Sequence, residues 1–384
     1  MVKRAISDQI LSAARQMPVV SITGPRQSGK TTVCRQLFPD YFYANLENPE
    51  TREYALRDPK KFLAQGEKGM IIDEAQYAPT LFSYIQVIVD ETGRNGEYIL
   101  SGSQNFLLME KITQSLAGRV AIFHLLPFSL NELMPTEYQP SNPWEYILKG
   151  GFPRIYDRQV SLNVFFPSYV QTYVERDVRQ LVNVGDLQQF QLFTRITAGR
   201  IGQLFNQSAV ANETSLTHPT VKKWLSILHT SFIAFTLPPY FRNFNKQLIK
   251  TPKLYFYDTG LACYLLGIRT VEELENHYAR GALFENFVIA EVLKNVYNRG
   301  SHQPLYFWRD RTGHEIDLII DEGGKLFPVE IKSGQTIQPH FFKNLDFFHS
   351  ISSNDPTLSM VVYAGDQNQN RSNGQVRSWN RLPG

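Results

Sequence analysis

Cysteine is nearly missing from this chain of 384 residues: there are two, Cys34 and Cys263. So few, so far apart, exclude a disulfide framework and a cysteine-ligated metal centre, and they fit a reducing compartment. Long apolar runs are missing as well. No stretch reaches the roughly 18 residues that a membrane helix needs, so no membrane role is expected. The N-terminus begins basic, with Lys3 and Arg4, but a polar, amphipathic segment follows where a signal peptide would be continuously apolar. The expected location is the cytoplasm. A strong charge of either sign is also missing, since 39 Lys and Arg against 36 Asp and Glu leave +3. That balance is too mild to imply a nucleic-acid partner, so such a case must rest on where the charge sits. Internal repeats are absent.

What is present is a chain with 42% hydrophobic residues, long enough for two or three domains at roughly 100–200 residues each. Residues 1–16 read as a helix with Ile6, Ile10, Leu11 and Ala14 on one face. PVVSITG, a strand near 41–46, GMIIDEAQ and EYILSGSQ read as strands. KTTVCRQLF, LRDPKKFLAQ and LFSYIQVIVDE read as helices between them. AIFHLLPFSLNEL reads as a last strand, to about residue 133. This alternation predicts a parallel sheet with helices on both faces.

MPTEYQPSNP marks a boundary. Beyond it, 164–182 and 190–205 have long helical patterns, and 207–230 predicts helix, turn, helix, with Ser215 as a cap and Pro219 in the first turn. Strands at 235–240 and 253–258 follow, completing a winged-helix pattern. From 278 on, 282–297 predicts an amphipathic helix, and 305–310, 315–321 and 326–333 predict strands with turns at 311–313 and 322–324. The polar tail DQNQNRSNGQ is expected to be mobile.

GPRQSGKT at 24–31 matches GxxxxGK[ST] at every fixed position, between a strand and a helix. Gly24, Pro25, Arg26, Gln27, Ser28 and Gly29 form a loop whose amides turn inward around a phosphate. Lys30 reaches the β- and γ-phosphates, and the Thr31 hydroxyl ligates Mg²⁺. Thr32 follows in the helix whose positive end faces the anion. Asp73, ending the MIID strand, would hold Mg²⁺ through water, and Glu74 would polarise the attacking water. The adjacent Asp–Glu pair points to ATP, since no guanine-specificity motif occurs. Ser101 or Ser103 would offer a hydroxyl to the γ-phosphate, with Gln104 as an outside choice. Arg119 is either a finger in a neighbour's site or a surface salt-bridge residue.

Two other regions carry candidate chemistry. His218, Lys222 and Lys223 share the second helix of the helix–turn–helix with inward Trp224 and Leu225, and Arg242, Lys246, Lys250 and Lys253 lie on or beside the candidate wing. They are placed to neutralise DNA phosphates. Surface lysines also serve solubility, and such modules also bind proteins. No pattern supports base-specific readout. In the last region Glu330 and Lys332, two apart in a strand, share a face, and a neighbouring strand can bring Asp317 beside them. Two carboxylates there would hold Mg²⁺, with Lys332 positioning water; the bland alternative is a salt-bridge cluster. Glu315 is a spare ligand or an electrostatic neighbour. Trp308 and Arg309 either clamp nucleic acid or, for Trp308, fill the core.

Taken together, GPRQSGKT, DEAQ, ILSGSQ, SLAGRVAIFHLLPFSLNEL, GGFPR at 150–154, YVERDV, KLYFYDTGL, FWR…HEIDLII and VEIKSG resemble the AAA-type ATPases of bacteria and archaea that carry a C-terminal domain of unknown function. The likeness covers nearly the whole chain. It implies an α/β fold: an AAA+ P-loop domain at 1–135, a helical and winged-helix region at 136–275, and a restriction-endonuclease-like end at 276–384. Asp317, Glu330 and Lys332 resemble the PD-(D/E)XK constellation, and Glu285 matches its acidic helix residue, although no proline precedes Asp317. The implied activity is ATP hydrolysis with Mg²⁺, coupled to duplex or branched DNA without sequence specificity, in a homo-oligomeric ring. The rivals are an ATP-controlled endonuclease and a nucleotide-dependent signalling or defence switch that recruits a protein.

Overall fold

A computed structural model describes residues 2–103, 115–174, 187–241, 249–301, 304–352 and 354–383, with only the backbone of 173 and 174. The fold is α/β. Five strands, β1 (Val19–Thr23), β2 (Phe42–Asn45), β3 (Met70–Asp73), β4 (Tyr98–Gly102) and β5 (Val120–His124), form a wholly parallel sheet in the order β2-β3-β4-β1-β5. Successive residues of a strand face opposite ways. Ile71 and Ile99 accordingly pack under the helices Ser7–Ala14 and Lys30–Leu37, while Ile72 and Leu100 pack under Pro59–Leu63 and Leu81–Thr92. β1 has β4 on one side and β5 on the other, so the chain leaves its C-terminal end at the place where open α/β sheets bind ligands.

Two local readings differ from the structure. LRDPKKFLAQ spans a break: one helix, Pro49–Arg57, stops before Asp58, and Pro59–Leu63 begins a second. A residue before proline is driven out of the helical region, and the Asp58 carboxylate then accepts from Lys61 N at 3.2 Å as the new cap. The predicted strand to residue 133 ends at His124. Ser129 and Glu132 form a reciprocal capping box that starts the helix Leu130–Leu133 instead.

The middle of the chain is helical. The 164–182 pattern forms Leu162–Tyr169 and a π-turn, Val170–Val174, just after Pro167, whose missing N–H breaks the ladder; its remainder lies outside the described residues. Gln207–Thr214 and His218–Thr230 make the helix–turn–helix. Thr217 caps the second helix by accepting from Thr220 N, whereas Ser215, at φ +54°, ends the first. β6 (Ala234–Leu237) and β7 (Lys253–Phe256) pair antiparallel.

The last sheet runs β12-β13-β11-β10-β9-β8, with β8 (Leu305–Arg309), β9 (Glu315–Glu322), β10 (Lys325–Lys332), β11 (Met360–Tyr363), β12 (Gln369–Arg371) and β13 (Gly374–Ser378). The tail expected to be mobile is this β12–β13 hairpin: Val376 and Trp379 are buried, and β13 pairs with β11. Helix Arg280–Asn298 is buried nearly all round, not along one stripe. Its Glu291 and Lys294 pair with each other at 2.7 Å, and Tyr146 donates to Glu291 at 2.6 Å. One apolar cluster joins this helix, one face of the last sheet and the middle helices. The β6 edge continues into β8 through Tyr240 N–Phe307 O at 2.7 Å and Phe307 N–Pro238 O at 3.1 Å. Among the described residues no helix is long and apolar enough to cross a membrane.

Candidate nucleotide site and acidic cluster

The loop after β1 turns through Gly24 (φ +153°) and Gly29 (φ +94°). A Cβ on Gly24 would lie 2.1 Å from Leu125 O, so only glycine lets the loop pass β5. Lys30 is buried, and its Nζ donates to Gly24 O at 3.0 Å and Pro25 O at 2.8 Å, curling the loop around the ammonium. Burial pulls the Lys30 pKa down, against the pull of Glu74 and Asp73. Thr31 Oγ1 donates to Asp73 Oδ2 at 2.7 Å, so the predicted hydroxyl and carboxylate stand side by side. Hard oxygen donors of this kind suit Mg²⁺.

Ser101 and Ser103 sit elsewhere in this geometry than expected. Ser101 donates to Asp73 Oδ1, and Ser103 donates to Glu74 Oε2 at 3.0 Å, so both hydroxyls serve the acids rather than standing open to a phosphate. Tyr43, missed in the sequence, adds a third donor to Asp73 at 2.8 Å. Glu74 lies in the left-handed region at φ +53°, which turns its carboxylate out of the strand line and towards the cleft. Gln76 donates to the same Glu74 oxygen as Ser103. Gln104 lies outside the described residues.

A cleft of about 1180 Å³ opens over this loop, lined by Arg26, Gln27, Gly29, Lys30, Thr31, Thr32 and Glu74 on one side and by Tyr138, Pro153, Arg154, Asp157 and Arg158 on the other. Arg154 and Arg158, at the helix Pro153–Asp157, are cleft residues that the sequence reading missed as a site. The signal was in GGFPR. A Cβ on Gly151 would meet Phe128 O at 2.2 Å, and Gly151 N donates to Asp258 Oδ2 at 2.8 Å, which seats the next turn against the loop. Arg4 was missed too. It is buried, and it donates to Ser28 O at 2.7 Å, Leu126 O at 2.6 Å and Glu132 Oε1 at 3.0 Å, bracing the loop from behind.

Arg119 does not serve the site of its own chain. It precedes β5 at the sheet edge where β1 begins, and roughly 13 Å of strand, at ~3.3 Å per residue, separates it from the loop. There it forms a two-pronged pair with Asp90, at 2.5 and 2.8 Å.

In the C-terminal sheet Asp317 Oδ2 accepts from Ile331 N at 2.7 Å, so Asp317 does come beside the β10 residues Glu330 and Lys332. Lys332 Nζ binds Glu330 Oε2 and lies 3.8 Å from Asp317 Oδ2. Glu285, Glu315 and Asp317 converge, with ligand oxygens within 4.8 Å of one another; Glu330 is not in that trio, so the expected ligand set changes. Lys253, expected on an exposed wing, is buried. Its Nζ lies 2.9 Å from Glu285 Oε1 and also binds Glu315 Oε1. Burial pulls its pKa down, and Glu285, Asp317 and Glu315 more than reverse that, holding it charged. Burial pushes the Glu285 and Glu330 carboxyls up. Trp308 is fully buried, its ring 5.5 Å from that of Phe348, so it is core. His218, Lys222, Lys223 and Lys250 are exposed; Arg242 and Lys246 lie outside the described residues.

The family model described as an AAA domain matches residues 16–134, a domain of unknown function (DUF8612) matches 141–272, and another (DUF4143) matches 280–382. Residues 16–134 are thus a P-loop ATPase domain of the AAA type. The chain is 32% identical over 343 residues to the uncharacterized proteins Mb2031c of Mycobacterium bovis and Rv2008c of Mycobacterium tuberculosis, covering 87% of this chain and 74% of each relative. Among solved structures, the Walker-type ATPase PABY2304 of Pyrococcus abyssi is similar at 15% identity and TM-score 0.47, over 68% of this chain and 94% of that one. The RuvB Holliday junction branch migration motor of Thermotoga maritima is similar at 17% identity and TM-score 0.32, over 61% and 87%.

Proposed function

The chain belongs to the family of the mycobacterial proteins Mb2031c and Rv2008c, and on that premise we propose that it hydrolyses ATP and uses the cycle to move appended DNA-handling domains. One observation carries the reading: Thr31 and Asp73 form a joined oxygen pair beside Lys30, with Glu74 at the lip of the same cleft. When bound, Mg²⁺ supplies the charge that neutralises phosphate oxygens during transfer; Thr31 and Asp73 are the residues to hold it. Lys30 exchanges two carbonyl partners for phosphate oxygens. Glu74, steadied by Ser103 and Gln76, takes a proton from the attacking water. Arg154 and Arg158 face the loop from the middle region, so drawing them to the phosphates would close the cleft and move that region with it.

DNA enters through charge. His218, Lys222 and Lys223 are exposed on one helix, and Lys250 is exposed before β7, which supports phosphate contacts without base readout. Copies in a ring would also give Arg119 a neighbour's site, provided Asp90 released it. The test is the ATPase rate alone and with duplex, single-stranded and branched DNA. We expect stimulation of several-fold by at least one form, weakening as salt rises, and a loss of that stimulation in Lys222→Ala/Lys223→Ala. A rate indifferent to every DNA would sink the DNA half and favour a switch that recruits a protein. Lys30→Ala serves as the blank. It is expected to bind nucleotide at least roughly 100-fold more weakly, since charge-assisted bonds are worth about 1.5–3 kcal/mol each; titration calorimetry reads this.

A further inference from the structure

Four carboxylates, Glu285, Glu315, Asp317 and Glu330, meet where helix Arg280–Asn298 begins beside β9 and β10. The spacing of the first three is one that a single cation would use. Every one of them is served from within the chain. Lys253 Nζ lies on Glu285 and Glu315 together. Tyr255, two residues along β7, donates to Glu285 Oε1 at 2.6 Å. Arg309 holds the other Glu315 oxygen at 3.1 Å. Lys332 spans Glu330 and Asp317.

Lys253 cannot easily swing away. Its backbone pairs with Leu237 of β6 and bridges Leu204, and its side chain is 3% exposed. A divalent ion entering the trio would meet this ammonium at contact range. Expelling the ammonium would leave a buried charge without a partner. The donor set has the right chemistry for Mg²⁺ or Mn²⁺, but the place between Glu285 and Glu315 is filled by the Lys253 ammonium.

We propose that Lys253 is a built-in cation standing in the metal position of this cluster, so that the C-terminal unit as folded binds no divalent ion there and does not cut DNA. The same ammonium fastens the β6–β7 ribbon to helix Arg280–Asn298 and to β9. The proposal is independent of the ATP reading, because the cluster shares no residue with the nucleotide cleft.

The test uses the full chain without nucleotide and follows Mn²⁺ by electron paramagnetic resonance. Wild type and Asp317→Asn are expected to bind Mn²⁺ identically, and neither is expected to nick plasmid in Mn²⁺. Mn²⁺ binding or nicking by wild type that Asp317→Asn removes would overturn the proposal. Lys253→Met keeps the apolar stem and removes the charge. If it folds, as circular dichroism will read, it is expected to gain one Mn²⁺ per chain, at least tenfold tighter than any wild-type binding that depends on Asp317. That gain should vanish in Lys253→Met/Asp317→Asn. A folded Lys253→Met that gains no Mn²⁺ also overturns the proposal. Should Lys253→Met fail to fold, the wild-type and Asp317→Asn comparison still decides.

Discussion

Glu74→Gln is expected to bind ATP about as well as the parent and to turn it over slowly, by a factor of roughly 10²–10⁴, the range for losing a positioned general base. The substitution is nearly isosteric. A glutamine carbonyl still accepts from Ser103, which donates at 3.0 Å, so the loop after β3 keeps its path. What is lost is the ability to take a proton from water. Asp73 is poorly placed to substitute: Thr31, Tyr43 and Ser101 all donate to it. Phosphate release and titration calorimetry on the same sample read the two effects separately. Hydrolysis at the parental rate would take the base role from Glu74. Weakened ATP binding with unchanged turnover would make Glu74 a binding group.

The nucleotide site was legible because its chemistry is local. Eight of its predicted contacts are the consecutive residues 24–31, and a strand must precede them and a helix follow. Asp73 and Glu74 were legible for a similar reason, as acids ending an apolar strand. The places that the reading missed depend on partners distant in sequence. Lys253 looks like any wing lysine until Glu285 and Glu315 are brought to it by a helix and a strand that follow. Glu291 and Lys294 look like the polar stripe of an amphipathic helix. In the fold they are buried against Tyr146 and the Phe128 carbonyl. The tail reads as polar because β12 and β13 bury few side chains, yet Val376 and Trp379 are buried and β13 pairs with β11. Arg119 shows the reverse: its motif is recognisable, but its position at the start of β5 takes it away from its own cleft.

Arg4→Ala is expected to cost roughly 3–5 kcal/mol of stability, the range for removing one partner of a buried ion pair. Arg4 and Glu132 have side chains only 5% and 2% exposed. Without the guanidinium, Glu132 keeps Ala5 N and Ser129 N, each at 2.8 Å, but carries a buried charge with no counterion. The carbonyls of Ser28 and Leu126 lose their donor as well, and the ring of Phe128 loses the cation 5.0 Å from its centroid. Thermal unfolding should show a clear fall in Tm. Glu132→Gln in the Arg4→Ala background should recover part of it, because the orphaned charge goes while the amide oxygen still accepts from one of the two N–H groups. The two single variants should part company on nucleotide affinity. Arg4→Ala frees the back of the P-loop at Ser28, whereas Glu132→Gln leaves that contact in place, so only the first should weaken ATP binding beyond what its lost stability explains. Equal ATP affinities in folded Arg4→Ala and Glu132→Gln would mean that Arg4 holds the fold together without tuning the loop.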